Sequence, residues 1–218
     1  MGTITLLDHM TLDGVIQAPG SDDEDRSGGF AFGGWAQENQ DEVMAQALGE
    51  GMSSRPGLLL GRRTFDGMAT FWPTQAPEDP MAAAMTAMPK YVVSRSPHPV
   101  SWENSTVLTG EASETVAKLV ADVRDDLTVL GSRTLAVSLL EHGLVDAIEL
   151  LIHPLVLGTG KRLFVEGLPR IPLELTETRT TTTGVIIASY RPAIGKTTGT
   201  ADSADHESEA ADGAGRKR

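Results

Sequence analysis

Apolar residues come along this chain in short blocks, and the changes in their period mark its elements. Ile4 to Leu7 reads as a short strand, followed by a polar, glycine-rich loop from His9 to Gly34. Val43, Met44, Ala47 and Leu48 then fall on one face, which predicts a helix within Glu38 to Gly49. Leu58-Leu59-Leu60 is an unbroken apolar run, the pattern of a strand covered on both faces. Arg62 to Met68 reads as the first turns of a helix ending near Trp72-Pro73, and Met81 to Met88 as a helix stopped by Pro89. Tyr91 to Val93 is a buried strand, and Val116, Leu119, Val120 and Val123 mark another amphipathic helix. Thr128-Val129-Leu130 ends at Gly131, where Ser132 stands as the N-cap of a helix carrying Leu135, Leu139 and Leu140. Beyond Asp146 the pattern is β-rich: Ala147 to Leu157, Leu173 to Thr180, and Val185 to Tyr190.

Strands alternating with helices, then strands alone, predict an α/β fold with a mostly parallel sheet and antiparallel strands at its C-terminal end. No repeat or interior linker divides the chain, so residues 1–193 are read as one domain. Residues 194–218 are Gly, Ala, Ser, Thr and charges without apolar periodicity. Such a stretch cannot bury enough surface to offset its ordering entropy, and it is expected to be a disordered tail.

The 218 residues suffice for one sizeable core. The net charge of −12 argues against a nucleic-acid surface, yet leaves room for a few local arginines around a phosphate. The absence of cysteine excludes disulfides, thiolate catalysis and cysteine-ligated zinc. No apolar run approaches the ~18 residues of a membrane span, and no signal-peptide pattern opens the chain, so a cytoplasmic protein is expected.

Three turns at the C-terminal ends of strands could carry chemistry. Gly61-Arg62-Arg63-Thr64 offers backbone N–H groups, two guanidinium groups and a hydroxyl, which suit a pyrophosphate; the plainer reading is surface arginines and a helix cap. Ser94-Arg95 follows a strand end and could hold a 2′-phosphate, or simply form a polar turn before Pro97. Gly131-Ser132-Arg133-Thr134 is the third such turn, with Arg133 facing either a cofactor or solvent. Gly158-Thr159-Gly160-Lys161 lacks the full P-loop pattern and reads as an ordinary turn. His153 is read as structural, and the scattered histidines do not make a metal site. Asp13-Gly14 is a turn whose carboxylate is a weak catalytic candidate, and Asp22 to Asp25 reads as a solvated loop. Glu38, Asp41, Glu42 and Glu50 read as solvent-facing acids. Trp35, Phe71 and Trp72 are the aromatics offered for a planar-ligand pocket, with core packing the alternative.

LGSRTLAVSLLEHGLVD followed by HPLVLGTGKRLF, with LLLGRRTFDGMATFWP, PKYVVSRS and the opening TITLLDHMTLDG, resembles the dihydrofolate-reductase-like superfamily. The likeness is to the branch related to the reductase domain of bacterial riboflavin biosynthesis, and it runs from Thr3 to Pro192. It implies a mixed central sheet flanked by helices and a homodimer. It further implies NADPH phosphates at Gly61, Arg62, Arg63 and Thr64, a 2′-phosphate at Ser94 and Arg95, and a third contact along Gly131 to Thr134. Gly14 would lie beside the nicotinamide and a small-molecule substrate. The implied reaction is hydride transfer to a carbonyl or imine carbon of a pyrimidine- or pterin-like heterocycle. The chain departs from the pattern at Ser132, where much of the superfamily has a second glycine. That departure, and the lack of an evident proton donor, leave open a non-catalytic nucleotide-binding or assembly module on the same fold.

Overall fold

The computed structural model describes residues 2–76, 78–97 and 99–193, so the expected tail lies outside the described residues. The elements run β1 (Ile4–Thr11), α1 (Glu42–Ser54), β2 (Gly57–Gly61), α2 (Arg62–Phe71), α3 (Pro80–Ala87), β3 (Lys90–Ser94) and β4 (Ser105–Thr109). They continue with α4 (Ala112–Asp122), β5 (Leu127–Leu130), α5 (Arg133–Glu141), β6 (Ala147–His153), β7 (Leu173–Thr180) and β8 (Ile186–Pro192). Alternation along β1 sets the layers. Ile4, Leu6 and Met10 pack with Val116 and Leu119 of α4 and Leu135 and Leu139 of α5, while Leu7 turns to Met44 and Ala47 of α1. In β2, Leu59 joins the first of these faces, and Leu58 and Leu60 meet Phe65 of α2 and Met85 of α3 on the other. Helices therefore cover both faces, as a parallel sheet requires.

The sheet has the order β4-β3-β2-β5-β1-β6-β8-β7. β1 to β6 run parallel, whereas β8 is antiparallel to both β6 and β7. The physical reason lies in the connections: helices provide most of the crossovers that parallel pairs need, a loop without a helix joins β3 to β4, and a tight turn suffices between β7 and β8.

Four expectations change. β1 continues past Leu7 to Thr11, because its backbone stays in register with β6 through His9↔Leu151 and Thr11↔His153. β6 stops at His153 rather than Leu157, since Pro154 has no N–H for the ladder. β4 escaped the sequence pattern because Ser105–Thr109 is a half-covered edge strand with little apolar content. The start of α1 also moves, to Glu42, where the Asp41 carboxylate accepts from Met44 N–H at 2.8 Å. Lys90 is fully buried at the start of β3, donating to the carbonyls of Thr86, Met88 and Glu103 at 2.9, 2.8 and 3.0 Å. Burial pulls its pKa down to about 8, and its contacts give it a role at the C-terminus of α3. No helix among the described residues is long and apolar enough to cross a membrane.

Candidate cofactor and substrate site

Because β1 to β6 are parallel, the turns after β2, β3 and β5 open on one edge of the sheet, beside the ends of β1 and β6. Ligands of open α/β sheets bind beyond that carboxyl edge. Gly131 and Ser132 both have positive φ, 56° and 58°. Ser132 occupies the N-cap position of α5, but in a left-handed conformation that makes no side-chain cap. Its hydroxyl instead accepts the Gly61 N–H at 2.9 Å, joining the β2–α2 turn to the β5–α5 turn. The expected capping role is thus corrected: Ser132 serves the neighbouring turn, and no side chain of its own covers the first N–H groups of α5. The two turns lie in van der Waals contact. A Cβ on Gly61 would stand 3.4 Å from that of Ser132, and one on Gly131 would stand 3.7 Å from Thr64 Cγ2. Holding a non-glycine residue in such backbone costs of order 1–3 kcal/mol, a pattern that clusters at ligand sites.

The polar side chains of the three turns have different surroundings. Arg62 is paired with Asp66 along α2 at 2.8 Å, and Arg63 is exposed. Ser94 is buried, with its hydroxyl donating to the Ser96 carbonyl at 2.8 Å and accepting the Ser96 N–H at 3.2 Å. Arg95 is exposed beside it. Arg133 donates to the Arg162 carbonyl at 2.7 Å, so its guanidinium braces the loop after β6; Thr134 is exposed. Gly61, Thr64, Gly131 and Ser132 come together, while Arg63 and Arg95 stand on the outer rim of the same edge.

The turn after β1 is built as a clamp. Asp13 accepts from the Thr11 hydroxyl at 2.7 Å, from the N–H groups of Leu157 and Gly158 at 3.2 and 2.9 Å, and from Arg162 at 3.2 Å. The bond from Thr11 foremost, then those from the Leu157 and Gly158 N–H groups, hold its carboxyl down at about 2. A group so strongly ionised does not donate protons near neutrality, so the geometry gives Asp13 the turn-closing role. Gly14 sits at φ 83°, where a side chain would be strained. Lys161 donates to Asp25 and Ser27 at 2.6 Å each, which ties the glycine turn after β6 to the loop of residues 17–27. Asp25 is therefore an ion-pair partner rather than a purely solvated acid. The acids near α1 are also occupied. Asp41 accepts from Thr182 Oγ1 at 2.6 Å, and Glu50 pairs with Arg179 at 2.7 Å.

The three aromatic candidates do not form one wall. Trp35 is buried with Val15, Ala18 and Phe30, and its indole N–H reaches the Gln17 carbonyl at 2.7 Å. Phe71 is 50% exposed and meets Trp72 edge-on, and Trp72 packs against the cluster of Phe65 and Trp102. Trp35 instead touches His153, with ring centroids 5.1 Å apart and planes at 88°. His153 Nε2 lies 2.9 Å from His9 Nδ1, and its Nδ1 lies 3.4 Å from Asn39 Oδ1. Burial lowers both imidazoles to about 4, so both are neutral at physiological pH. Sequence reasoning missed this pairing because His9 was assigned to a loop. It also missed Asp8, which shares the face of Leu6 and Met10 at the level where β5 gives way to Gly131. Asp8 Oδ2 is buried without a hydrogen-bond partner, and burial, then the charge of Glu24, pushes the carboxyl well above its usual range. The signal was present in the alternation: a carboxylate stood at an apolar position of a strand.

A groove of about 300 Å³ opens elsewhere, between α1 and β8, lined by Arg55, Glu149 and Arg179 among others. Its charges are mutually satisfied, Arg55 with Glu149 at 2.9 Å and Arg179 with Glu50, so it is no substitute for the strand-end site. Among the described residues no group of three or more His, Cys, Asp or Glu side chains could hold a metal ion.

Sheet order, antiparallel C-terminal end and flanking helices define a mixed α/β domain of the dihydrofolate-reductase-like fold. Within that class the chain belongs to the RibD C-terminal domain family, whose model matches residues 3–187. It is 33% identical over 138 residues to the uncharacterized protein YyaP of Bacillus subtilis (strain 168), covering 61% of this chain and 72% of YyaP. The diaminohydroxyphosphoribosylaminopyrimidine deaminase/5-amino-6-(5-phosphoribosylamino)uracil reductase of Thermotoga maritima shares the fold, with TM-score 0.59 and 13% identity over 88% of this chain and 57% of that one. Dihydrofolate reductase from Enterococcus faecalis, complexed with NADP(H), gives TM-score 0.53 and 15% identity over 88% of this chain and 96% of that one.

Proposed function

We propose that the protein is an NADPH-dependent reductase of the cytoplasm that acts on a small heterocycle bearing a C=N or C=O bond, pyrimidine- or pterin-like. Family membership and the reductases sharing its fold support a reductase-type activity. The observation that carries the cofactor reading is the joined pair of turns, Gly61–Thr64 and Gly131–Thr134, held together by Ser132. Their glycines admit a ligand close to the backbone, and the first N–H groups of α5 suit a pyrophosphate. Arg63 would add charge to that seat, and Arg95 with Ser94 would meet the 2′-phosphate. When bound, NADPH supplies the hydride; the chain's task is to orient donor and acceptor and exclude water. A non-catalytic nucleotide-binding module is favoured instead by one observation, the low pKa that removes Asp13 as a proton donor.

The test is a fluorescence titration with NADPH and NADH, followed by NADPH consumption assays with dihydrofolate and 5-amino-6-(5-phosphoribosylamino)uracil. Saturable NADPH binding with turnover of either acceptor is the expected result. Binding without any turnover supports the module, and failure to bind either nucleotide overturns both readings.

A further inference from the structure

His9 and His153 stand at the ends of adjacent strands, on the α1 side of the sheet and beside the turns assigned to the cofactor. Every hydrogen-bonding atom of His153 is engaged: Nδ1 with Asn39 Oδ1, Nε2 with His9 Nδ1. His9 has one nitrogen left. Its Nε2 has no partner among the described residues, and Asp8 Oδ2 is the sole buried side-chain N or O atom without one there. His9 Nε2 is therefore not fully enclosed, on a ring that is otherwise largely covered.

The polarity of this chain of bonds follows from the chemistry of neutral imidazole, which has one N–H and one lone pair. Asn39 Oδ1 accepts, so His153 Nδ1 carries the proton. His153 Nε2 is then the acceptor for His9 Nδ1–H, which leaves the lone pair on His9 Nε2. The indole of Trp35 packed edge-on against His153 fixes the buried ring, and Thr183 holds the Asn39 backbone carbonyl at 2.6 Å. The arrangement is a preorganised hydrogen-bond acceptor.

We propose that His9 Nε2 is the substrate-recognition contact of this site, accepting a hydrogen bond from a ring N–H of the heterocyclic acceptor. Pyrimidine and pterin lactams both offer such a donor. A site built to accept that hydrogen bond rejects analogues lacking it, because its lone pair is left desolvated and unpaired. This assignment rests on the reductase reading above.

The experiment uses the full chain labelled with ¹⁵N-histidine and saturated with NADPH. Long-range ¹H–¹⁵N spectra should show His9 as the Nδ1–H tautomer. Adding 5,6-diaminouracil should move the His9 Nε2 resonance upfield while leaving His142 unchanged, and 5,6-diamino-1,3-dimethyluracil, which lacks ring N–H groups, should not. His9→Phe should weaken 5,6-diaminouracil binding at least tenfold with NADPH affinity retained. An Nε2–H tautomer, an unmoved Nε2 with bound diaminouracil, equal shifts by both uracils, or no binding of diaminouracil overturns the inference while the cofactor reading stands. Loss of NADPH binding by the unaltered protein overturns the reductase reading itself, and the tautomer measurement remains decisive if His9→Phe does not fold.

Discussion

Asp8 and the two paired histidines place opposite pH dependences on one small region. Burial raises the Asp8 carboxyl well above 3.8, so the folded protein keeps a proton that the unfolded chain releases. Stability from this group is greatest at low pH and falls as pH rises from 3.8 through the raised folded value. Asp8→Asn should therefore stabilise the protein at pH 8 by about 1–3 kcal/mol relative to its effect at pH 4, the scale of one desolvated, unpaired polar group. Urea unfolding at the two pH values measures this directly. His9 and His153 act the other way. Their folded values of about 4 lie below the ordinary 6.5, so their contribution is complete above 6.5 and is lost as pH falls toward 4. In the Asp8→Asn background, the denaturation midpoint should decline over that interval, and a flat profile there would remove the neutral-pair assignment. Arg95 and Arg63 separate the two phosphate roles. Arg95→Ala should lose about 1.5–3 kcal/mol of NADPH affinity, roughly ten- to a hundred-fold, while NADH binding stays nearly unchanged. Arg63→Ala should weaken both cofactors, because both carry the pyrophosphate. Equal losses of the two cofactors at Arg95 would contradict its assignment.

At the scale of elements, the glycine turn after β6 is held by a carboxylate far away in sequence. Asp13 satisfies the N–H groups of Leu157 and Gly158 and receives Arg162, and Arg133 braces the same loop through the Arg162 carbonyl. Asp13→Ala strips acceptors from two backbone donors and should destabilise the chain by about 1–3 kcal/mol. Asp13→Asn keeps one oxygen acceptor and should cost less. Thermal melts rank the variants, and an unchanged melting temperature for Asp13→Ala would show that the loop is held by other contacts. Such cross-links were invisible along the chain. The helices and most strands were legible because their burial repeats at fixed periods, whereas β4 and the polar half of β1 depend on neighbours for their register.

At the scale of the molecule, β7 closes the antiparallel end of the sheet with nearly every residue exposed. Leu175 of β7, the edge strand with one partner, is 56% exposed, and Ile186 of the neighbouring β8 is 43% exposed. Exposed edges of this kind pair readily with another chain. A homodimer about a two-fold axis is the expected solution, and sedimentation at micromolar concentration should give about twice the chain mass. A monomer at that concentration would leave this end of the sheet without the proposed cover.

The sequence by itself determined the α/β class, the change from parallel to antiparallel strands and the three turns at strand ends. Each of these is local: apolar period, glycine and proline positions, and the polar residues that follow a strand. Only the tertiary structure decided what those residues meet. Ser132 sat at a helix start in the sequence, yet its hydroxyl belongs to Gly61, on a strand that sheet order places beside its own. His9 and His153 are 144 positions apart, and the parallel register of β1 and β6 brings their nitrogens to hydrogen-bonding distance. Periodicity records which face of an element is buried, but partners across a sheet are set by strand order and register, which chain neighbours do not encode.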